Sequence, residues 1–442
     1  MATVHVIGAG LAGLSCALRL AESGAAVRLY EATGHAGGRC RSYYDQQLER
    51  WVDNGNHLVF SGNHAVAEHL RMTGADGSMI DPGRAVFPFL DLSDGRRWTL
   101  GLNEGLLPLW AFRRDGRVPG TGFKDYLALL RFGGAGAAAT VQDVIKPSHP
   151  LFTTLIEPIA VAVLNASAAE GAAALLWPVI METFGRGGRA CHPLIARQGL
   201  SMSLVDPAVR RLGELGVDIA FTHRLREIEL RGHTVVGLSF IGHDVALGDS
   251  DTVVLAVPHR VAGLLLPDVT VPEGSRSIVN AHFRLPGPVP LRDDLHFLAL
   301  LNGTAHWLFF RDDIVSATVS AAEAIVDLPA EEIAGRIWAD VARAVDAPAE
   351  PLQPYRIVKE KTATFAQTPA EVARRPAAKT AYFNLFLAGD WTATGLPATI
   401  EGALRSGRTA ARLVLAQRSS AGVPMAGTRS PQRRPAATNV VL

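Results

Sequence analysis

Cysteine is scarce in this chain, since only Cys16, Cys40 and Cys191 occur in 442 residues. Their spacings match no metal-binding motif, and an odd number of scattered cysteines does not suggest a disulfide framework. The sequence therefore predicts neither a metal centre nor a disulfide-stabilised fold. A reducing, cytoplasmic compartment fits this composition.

Long apolar runs and an excess of one charge are also missing. No run of about 18 apolar residues could span a bilayer, and no basic segment precedes the first apolar strand, as a secretory signal would require. The formal net charge is +1, so the charge balance does not point to a nucleic-acid partner. These absences again favour a cytoplasmic protein.

Apolar residues, in contrast, make up 48% of the chain, against 19% for charged residues. This composition indicates a large core, an apolar ligand site, or both. At 442 residues the chain exceeds the size that one core usually serves. We therefore expect two domains.

The strongest motif follows a short apolar strand at residues 4–7. Its glycine-rich loop contains Gly8, Gly10, Leu11, Ala12 and Gly13. Gly8 allows a tight turn, Gly10 lets a pyrophosphate approach the backbone, and Gly13 lets the following helix pack against the sheet. Glu31 ends the next strand and can accept hydrogen bonds from a ribose diol. The pattern predicts a dinucleotide site; the alternative is a glycine-rich turn of another α/β fold.

A second glycine pair lies a few residues further on, at Gly37 and Gly38, followed by Arg39. Such a loop can cover the pyrophosphate, with the guanidinium as its charge partner; a surface salt bridge is the alternative for Arg39. Together, the two loops resemble those of the flavin amine oxidases and phytoene-type desaturases. This resemblance implies FAD as the cofactor, bound by a Rossmann-type α/β domain with an interleaved α+β substrate domain.

The resemblance continues near the C-terminus, where Gly389 and Asp390 follow a buried strand and Thr399 and Ile400 begin a helix. In the family this Asp holds the ribityl chain or the pyrophosphate, and the helix N-terminus points at the flavin. The backbone near Leu225 would meet the adenine. The implied FAD-binding domain comprises residues 1–75, 205–265 and 380–416. The implied substrate domain comprises residues 76–204 and 266–379.

A polar D-N-G-N-H segment at residues 53–57 lies between apolar flanks. In the family this segment passes close to the isoalloxazine ring. We therefore consider His57 a candidate proton donor, because an unperturbed imidazole titrates near neutrality. Asp53 is a candidate to orient it. The alternatives are a simple turn, with His57 bonded to backbone, and an acid elsewhere, such as Glu157.

A closer resemblance is to the squalene-associated desaturases, the hydroxysqualene dehydroxylases of hopanoid pathways. It rests on the segments at residues 53–57, 157–158, 164–165, 306–309, 361–365 and 389–402. Asn56 and Thr362 depart from the family, which usually has Gln and Arg there. The resemblance implies reductive removal of an allylic hydroxyl from hydroxysqualene, a hydrophobic polyprenoid, giving squalene. Carotenoid-type desaturation or isomerisation, amine oxidation and flavin-free prenyl binding are the alternatives. The electron donor stays undefined.

Two further segments carry expectations. Residues 106–132 mix Trp and Phe with Arg and Lys, a composition that favours peripheral contact with the inner membrane, although packing on the substrate domain is the alternative. Residues 417–442 are rich in Ser, Gly, Pro and Arg and lack acids. They are expected to form a disordered tail.

Overall fold

The computed structural model describes residues 2–289 and 294–420. The strands in chain order are β1 (Thr3–Ile7), β2 (Ala26–Tyr30), β3 (Ser42–Asp45), β4 (Arg50–Asp53), β5 (Val59–Phe60), β6 (Met79–Ile80), β7 (Ala85–Asp91), β8 (Arg97–Leu102), β9 (Pro193–Ala196), β10 (Ile219–Ala220), β11 (Leu225–Arg231), β12 (Thr234–Phe240), β13 (His243–Ala246), β14 (Thr252–Leu255), β15 (Ser275–Arg284), β16 (Phe297–Leu301), β17 (Trp307–Arg311), β18 (Ile314–Ser320), β19 (Tyr355–Phe365) and β20 (Leu385–Leu387).

The α-helices are α1 (Leu11–Glu22), α2 (His64–Thr73), α3 (Phe123–Tyr126), α4 (Val141–Val144), α5 (Glu157–Leu164), α6 (Leu176–Glu182), α7 (Asp206–Glu214), α8 (His259–Leu265), α9 (Ala330–Ala344), α10 (Pro369–Ala373) and α11 (Ile400–Ser420). Two 3₁₀ helices, Leu109–Phe112 and Leu127–Gly134, and a π-helix, Phe152–Ile156, are used below.

A five-stranded parallel sheet has the order β10-β2-β1-β14-β20. The chain returns to it from distant segments. Strands β14 and β20 are apolar and fully buried, as expected of parallel strands covered on both faces. Helices α1 and α11 cross closely over one face of this sheet. They approach so closely that a Cβ on Gly407 would lie 2.1 Å from the carbonyl oxygen of Ala12. The glycine-rich loop between β1 and α1 therefore lies at the carboxyl edge of the sheet, where ligands bind in such folds.

A seven-stranded sheet has the order β19-β15-β18-β17-β16-β7-β8, and all its pairs are antiparallel except β16 with β7. Successive side chains of each strand point to opposite faces of this sheet. One face, with Phe283 and Ala317, packs on α9 through Trp338. The other, with Phe87 and Phe297, packs on the short helices between residues 109 and 177. This second face is available to line a site.

One segment differs from the sequence expectations, and another consists of two short helices. Residues 123–134 form α3 and the 3₁₀ helix Leu127–Gly134. Helix α11 continues to Ser420, so residues 417–420 are helical and not part of the expected tail. Residues 421–442, the rest of that expected tail, lie outside the described residues. Over the described ranges, no helix combines the length and the apolarity needed to cross a bilayer.

Candidate active site

The first glycine-rich loop is shaped by steric limits. Gly8 has φ +105°, and a Cβ there would lie 2.5 Å from the carbonyl oxygen of Ala256. A Cβ on Gly13 would lie 1.8 Å from the carbonyl oxygen of Gly8. Both positions therefore require glycine, as the sequence predicts.

Gly10 is different, because its backbone is extended (φ −72°, ψ 175°) and a Cβ there would meet no atom within 4 Å. It precedes Leu11 and Ala12, the first residues of α1. The N–H groups of a first helical turn have no partner inside the helix, and the helix dipole is positive there. The open space at Gly10 and these donors together suit a phosphate group.

Glu31 supports this loop from the end of β2. Its Oε2 accepts a hydrogen bond from the N–H of Ala9 at 2.9 Å, and its Oε1 accepts bonds from the N–H and Oγ1 of Thr33, both at 2.9 Å. The side chain is buried, with 9% exposure. Since a carboxylate has about four acceptor positions, Glu31 can accept a further bond from a ligand hydroxyl.

The second glycine pair lies directly over the first loop. The N–H of Gly37 donates to the carbonyl oxygen of Ala9 at 2.8 Å, and a Cβ on Gly38 would lie 3.5 Å from the Cα of Gly10. Gly38 has φ +58°, which favours glycine. The two loops thus form one wall around the N-terminus of α1.

Arg39 and Asp390 pair with each other in this wall. The Nη2 of Arg39 donates to both carboxylate oxygens of Asp390 at 2.8 Å, and its Nη1 donates to the carbonyl oxygen of Ala363. The charge of Asp390 raises the pKa of Arg39. Asp390 is 9% exposed at its side chain, whereas Arg39 is 40% exposed. The sequence predicts a separate cofactor contact for each of these residues. It did not predict the ion pair between them.

Gly389 directly precedes Asp390, and Thr399 precedes the helix that follows it. Each constrains the local backbone. Gly389 has φ +149°, and a Cβ there would lie 2.3 Å from Nε1 of Trp391. Thr399 precedes Ile400, the first residue of α11, and its Oγ1 accepts a bond from the N–H of Gly402 at 3.1 Å. The N-terminus of α11 is therefore capped by a side chain while its other donors stay available.

Leu225 begins β11, far along the chain from these loops. Its side chain is buried in an apolar cluster with Tyr30, which directly precedes Glu31. Leu225 thus lies on the same side of the parallel sheet as the acidic end of β2, which is compatible with the expected adenine position.

Asp53 has a different role from the one expected. Its Oδ1 accepts bonds from Oγ of Ser42 at 2.5 Å and from the N–H of Leu200 at 2.9 Å. Its Oδ2 accepts a bond from Arg311 at 2.6 Å. The hydrogen bonds of this buried carboxylate connect β3, β17 and residue 200, and none of them reaches His57. The hydrogen bonds of Asp53 therefore do not support the expectation that it orients His57.

His57 lines a cleft and makes no hydrogen bond within the described part of the chain. The ring is exposed to this cleft but shielded from bulk water, and the resulting burial lowers its pKa to about 4, although the charge of Asp53 opposes the shift. An unperturbed imidazole would titrate near neutrality. In the structure the ring is neutral at pH 7.

Asn280 and Thr318 were missed by the sequence analysis. Asn56 donates to Oγ1 of Thr318 at 3.0 Å, Thr318 donates to Oδ1 of Asn280 at 2.8 Å, and Asn280 donates to the carbonyl oxygen of Asn54 at 3.2 Å. These bonds attach residues 54–56 to strands β15 and β18. In β15, Asn280 and His282 alternate with the apolar residues Val279, Ala281 and Phe283, and this alternation was a signal that could have revealed Asn280.

Two cavities are relevant to the site. The first contains His57 and is lined by Trp51, Val52, Asp53, Asn56, His57, Ile80, Ile195, Ala196, Arg197, Leu200, Phe309, Phe310, Arg311, Ile314 and Ser316. The second is entirely apolar and is lined by Leu129, Phe132, Leu155, Ile156, Ile159, Leu176, Val179, Ile180 and Phe184. The two cavities have no lining residue in common.

Glu157, the alternative acid, lies at the start of α5. Its Oε2 accepts a bond from the N–H of Ala168 at 3.0 Å, and burial raises its pKa. A raised pKa is useful in a proton donor. The hydrogen bond nevertheless assigns Glu157 a local structural role.

The two glycine loops, the open position at Gly10 and the capped N-terminus of α11 fit a dinucleotide cofactor of the FAD type. This arrangement defines a flavin-dependent oxidoreductase. Residues 11–415 match the profile of the family described as "Flavin containing amine oxidoreductase", and the chain belongs to this family. The prediction of an FAD-dependent enzyme with a Rossmann-type α/β fold is confirmed.

The chain is 47% identical to a hydroxysqualene dehydroxylase of Rhodopseudomonas palustris, over 94% of this chain and 98% of that protein. It is 44% identical to a hydroxysqualene dehydroxylase of Sinorhizobium fredii, over 94% and 98% of the two chains. Among solved structures it resembles cyclohexylamine oxidase of Brevibacterium oxydans, with a TM-score of 0.70, 14% identity, and coverage of 95% and 99%. The predicted resemblance to the hydroxysqualene dehydroxylases is therefore confirmed.

Proposed function

We propose that this protein removes the allylic hydroxyl of hydroxysqualene and forms squalene. The observation that carries the proposal is the 47% identity to a hydroxysqualene dehydroxylase over nearly the whole of both chains. The wholly apolar second cavity supports a hydrocarbon substrate, because no lining side chain would leave a polar group unpaired against it.

The assignment of the FAD-binding residues is part of the same proposal. Leu11 and Ala12 would face the pyrophosphate with their N–H groups, and Gly10 would allow its approach. Glu31 would accept a ribose hydroxyl. The Arg39–Asp390 pair would present a guanidinium N–H to the phosphates and a carboxylate to the ribityl chain.

The same proposal covers the domain organisation. Residues 1–75, 205–265 and 380–416 would form the FAD-binding domain, and residues 76–204 and 266–379 the substrate domain. The separate parallel and antiparallel sheets support this division, since the first draws its strands from the former set and the second from the latter.

The reaction replaces a carbon–oxygen bond by a carbon–hydrogen bond. Bound reduced FAD supplies the hydride. The hydroxyl leaves as water once it has received a proton, and an allylic cation distributes the charge over conjugated carbons. Apolar walls exclude bulk water, which would otherwise return a hydroxyl to that cation.

His57 is the proposed proton donor. In its neutral form the ring can donate a hydrogen bond to the leaving hydroxyl, and in its imidazolium form it can transfer a proton to it. Because its pKa is about 4, the imidazolium form is rare at pH 7, but it is a strong acid for this transfer. The Asn56–Thr318–Asn280 bonds would hold the segment that carries His57 in place.

Peripheral membrane contact is the remaining part of the proposal. Exposed apolar side chains cluster between residues 106 and 130, and we call them the apolar patch: Leu106 (72% exposed), Leu107 (70%), Leu109 (57%), Phe112 (61%), Leu127 (47%) and Leu130 (63%). Arg114, Lys124 and Arg131 are exposed in the same segment. Apolar residues bordered by cations suit the surface of an anionic bilayer. Trp110, also expected on this face, is buried.

A substrate panel tests the function. Reduced enzyme should convert hydroxysqualene to squalene, whereas oxidised enzyme should convert neither phytoene nor primary amines. Products are identified by mass spectrometry under anaerobic conditions. Desaturation of phytoene or oxidation of an amine without action on hydroxysqualene would replace the proposal by one of these activities.

A further inference from the structure

Arg375 is a buried arginine that follows helix α10, and only 9% of the residue is exposed. Its Nη1 donates to the carbonyl oxygen of Leu396 at 2.8 Å. Its Nη2 donates to the carbonyl oxygen of Asp390 at 2.9 Å and to Oγ1 of Thr394 at 2.8 Å. Its Nε is buried and makes no hydrogen bond with the described residues. Every acceptor in these bonds is therefore neutral.

The charge of Arg375 is not balanced by a carboxylate. Both side-chain oxygens of Asp390 accept bonds from Arg39, and within residues 2–289 and 294–420 Arg375 forms no ion pair. Its guanidinium carbon lies 5.1 Å from the ring centroid of Phe365, whose face attracts a cation. Burial lowers the pKa of Arg375 to about 10, although the charge of Asp390 opposes the shift, so the group stays a cation at pH 7. A buried cation is costly unless an anion lies near it.

This cation lies against the turn that joins β20 to α11. Arg375 binds the carbonyl groups of Asp390 and Leu396, and the fully buried Gln367 accepts a bond from the N–H of Ala398 at 2.8 Å. The turn leads directly into the N-terminus of α11, where the helix dipole is positive. The guanidinium and the helix therefore both add positive potential to the part of the proposed FAD site next to this turn.

We propose that Arg375 stabilises the negative charge of the reduced FAD ring and thereby raises the reduction potential of the bound cofactor. The inference rests on the proposed function for the placement of FAD. Two electrons from an external reductant and one proton give a reduced ring with one negative charge. The field of a buried cation stabilises this charge without contact, because the protein interior screens it weakly. A weaker electron donor then suffices to reduce the bound FAD.

Substitutions that separate charge from shape test the inference. Arg375→Met removes the charge, and Arg375→Gln is a second neutral variant that can still donate to a carbonyl group, in case the first does not fold. Arg375→Lys keeps the charge but loses the planar fork. Arg374→Met is the matched control, because it removes the same charge from the neighbouring residue, which is partly exposed and paired with Glu273.

Each protein is loaded with FAD and reduced anaerobically with dithionite in the presence of a reference dye, which reports the potential. The Kd for oxidised FAD and the melting temperature are measured alongside. In the neutral variants, the ratio of the Kd for oxidised FAD to that for reduced FAD should fall by about tenfold, which lowers the two-electron potential by about 30 mV. Arg375→Lys and Arg374→Met should keep the wild-type potential.

Three results would overturn the inference. An unchanged potential in a folded, FAD-loaded neutral variant would mean that Arg375 only holds the turn. An equal fall in Arg375→Lys would assign the effect to shape, and weaker binding of oxidised FAD at an unchanged potential would assign the charge to the pyrophosphate. The potential is measured without substrate, so a protein that shows the expected fall but does not act on hydroxysqualene would refute the proposed function alone.

Discussion

Arg39 and Asp390 are 351 residues apart in sequence, yet the Nη2 of Arg39 lies 2.8 Å from both carboxylate oxygens of Asp390. The pair connects the second glycine loop to the turn after β20. Because Arg39 remains partly exposed, its guanidinium is available to a ligand. The ion pair joins the two ends of the FAD-binding region into one structure.

Removing the guanidinium should therefore affect both stability and cofactor binding. Arg39→Ala leaves the buried Asp390 carboxylate without its cation, which costs about 1–3 kcal/mol in the free energy of unfolding. FAD retention after gel filtration should fall as well. Arg113→Ala is the control, because Arg113 and Asp115 form an exposed pair whose loss should leave the melting temperature and the FAD content unchanged. Unchanged melting and full FAD content in Arg39→Ala would refute the assigned role.

Two substitutions in the first glycine loop should have different effects, one on cofactor binding and the other on folding. Gly10→Val should fold, because the backbone at Gly10 is extended and its Cβ would meet no protein atom within 4 Å, but the side chain would occupy the pyrophosphate position. Gly13→Val should fail to fold, because its Cβ would collide with the Gly8 carbonyl. Circular dichroism and flavin absorbance distinguish the two outcomes. A yellow, FAD-saturated Gly10→Val protein would contradict the placement of the pyrophosphate.

Membrane contact should depend on the apolar patch and not on Trp110, which lies in the same segment but is buried. Leu107→Glu with Leu130→Glu should reduce co-sedimentation with anionic vesicles while FAD stays bound, since both side chains are exposed. Leu230→Glu with Ile241→Glu, on the exposed side of the β11–β13 region, is the matched control. Equal sedimentation of the patch variant and the wild type would remove the membrane role from this segment.

His57 gives a prediction for the pH dependence of the rate. Its pKa of about 4 means that the imidazolium fraction rises by about tenfold for each unit that the pH falls from 7 towards 5. If imidazolium is the acid, the single-turnover rate should rise with it while FAD stays bound. His57→Ala should lower the rate by about 10²–10⁴-fold and flatten the profile. A fall of less than about threefold would instead favour a water or Glu157 as the donor.

Local features were predictable from the sequence because they depend on short-range sterics. Gly13 is fixed by a contact with Gly8 inside the glycine loop, and the capped start of α11 follows from the turn at Thr399. The glycine motif between β1 and α1, with the family resemblance that it carries, was likewise sufficient to predict the Rossmann-type fold. Such features need no knowledge of distant partners.

Long-range contacts could not be predicted in this way. Asp53 lies in a motif that suggests catalysis, but its partner Arg311 is 258 residues away. The pKa of His57 depends on burial by the tertiary structure, which the sequence does not encode locally. Trp110 is buried although Leu109 and Phe112 at the two ends of its 3₁₀ turn are exposed, and the sequence does not show which side of that turn faces inward.

The central claim is that reduced FAD bound to this protein is oxidised by an allylic alcohol. A single-turnover measurement tests this claim most directly. The FAD-loaded protein is reduced anaerobically and mixed with hydroxysqualene, while flavin absorbance and squalene are followed together. The account predicts that oxidised flavin and squalene appear at the same rate, in a ratio of one to one. Flavin that stays reduced, or flavin that oxidises without forming squalene, would contradict it.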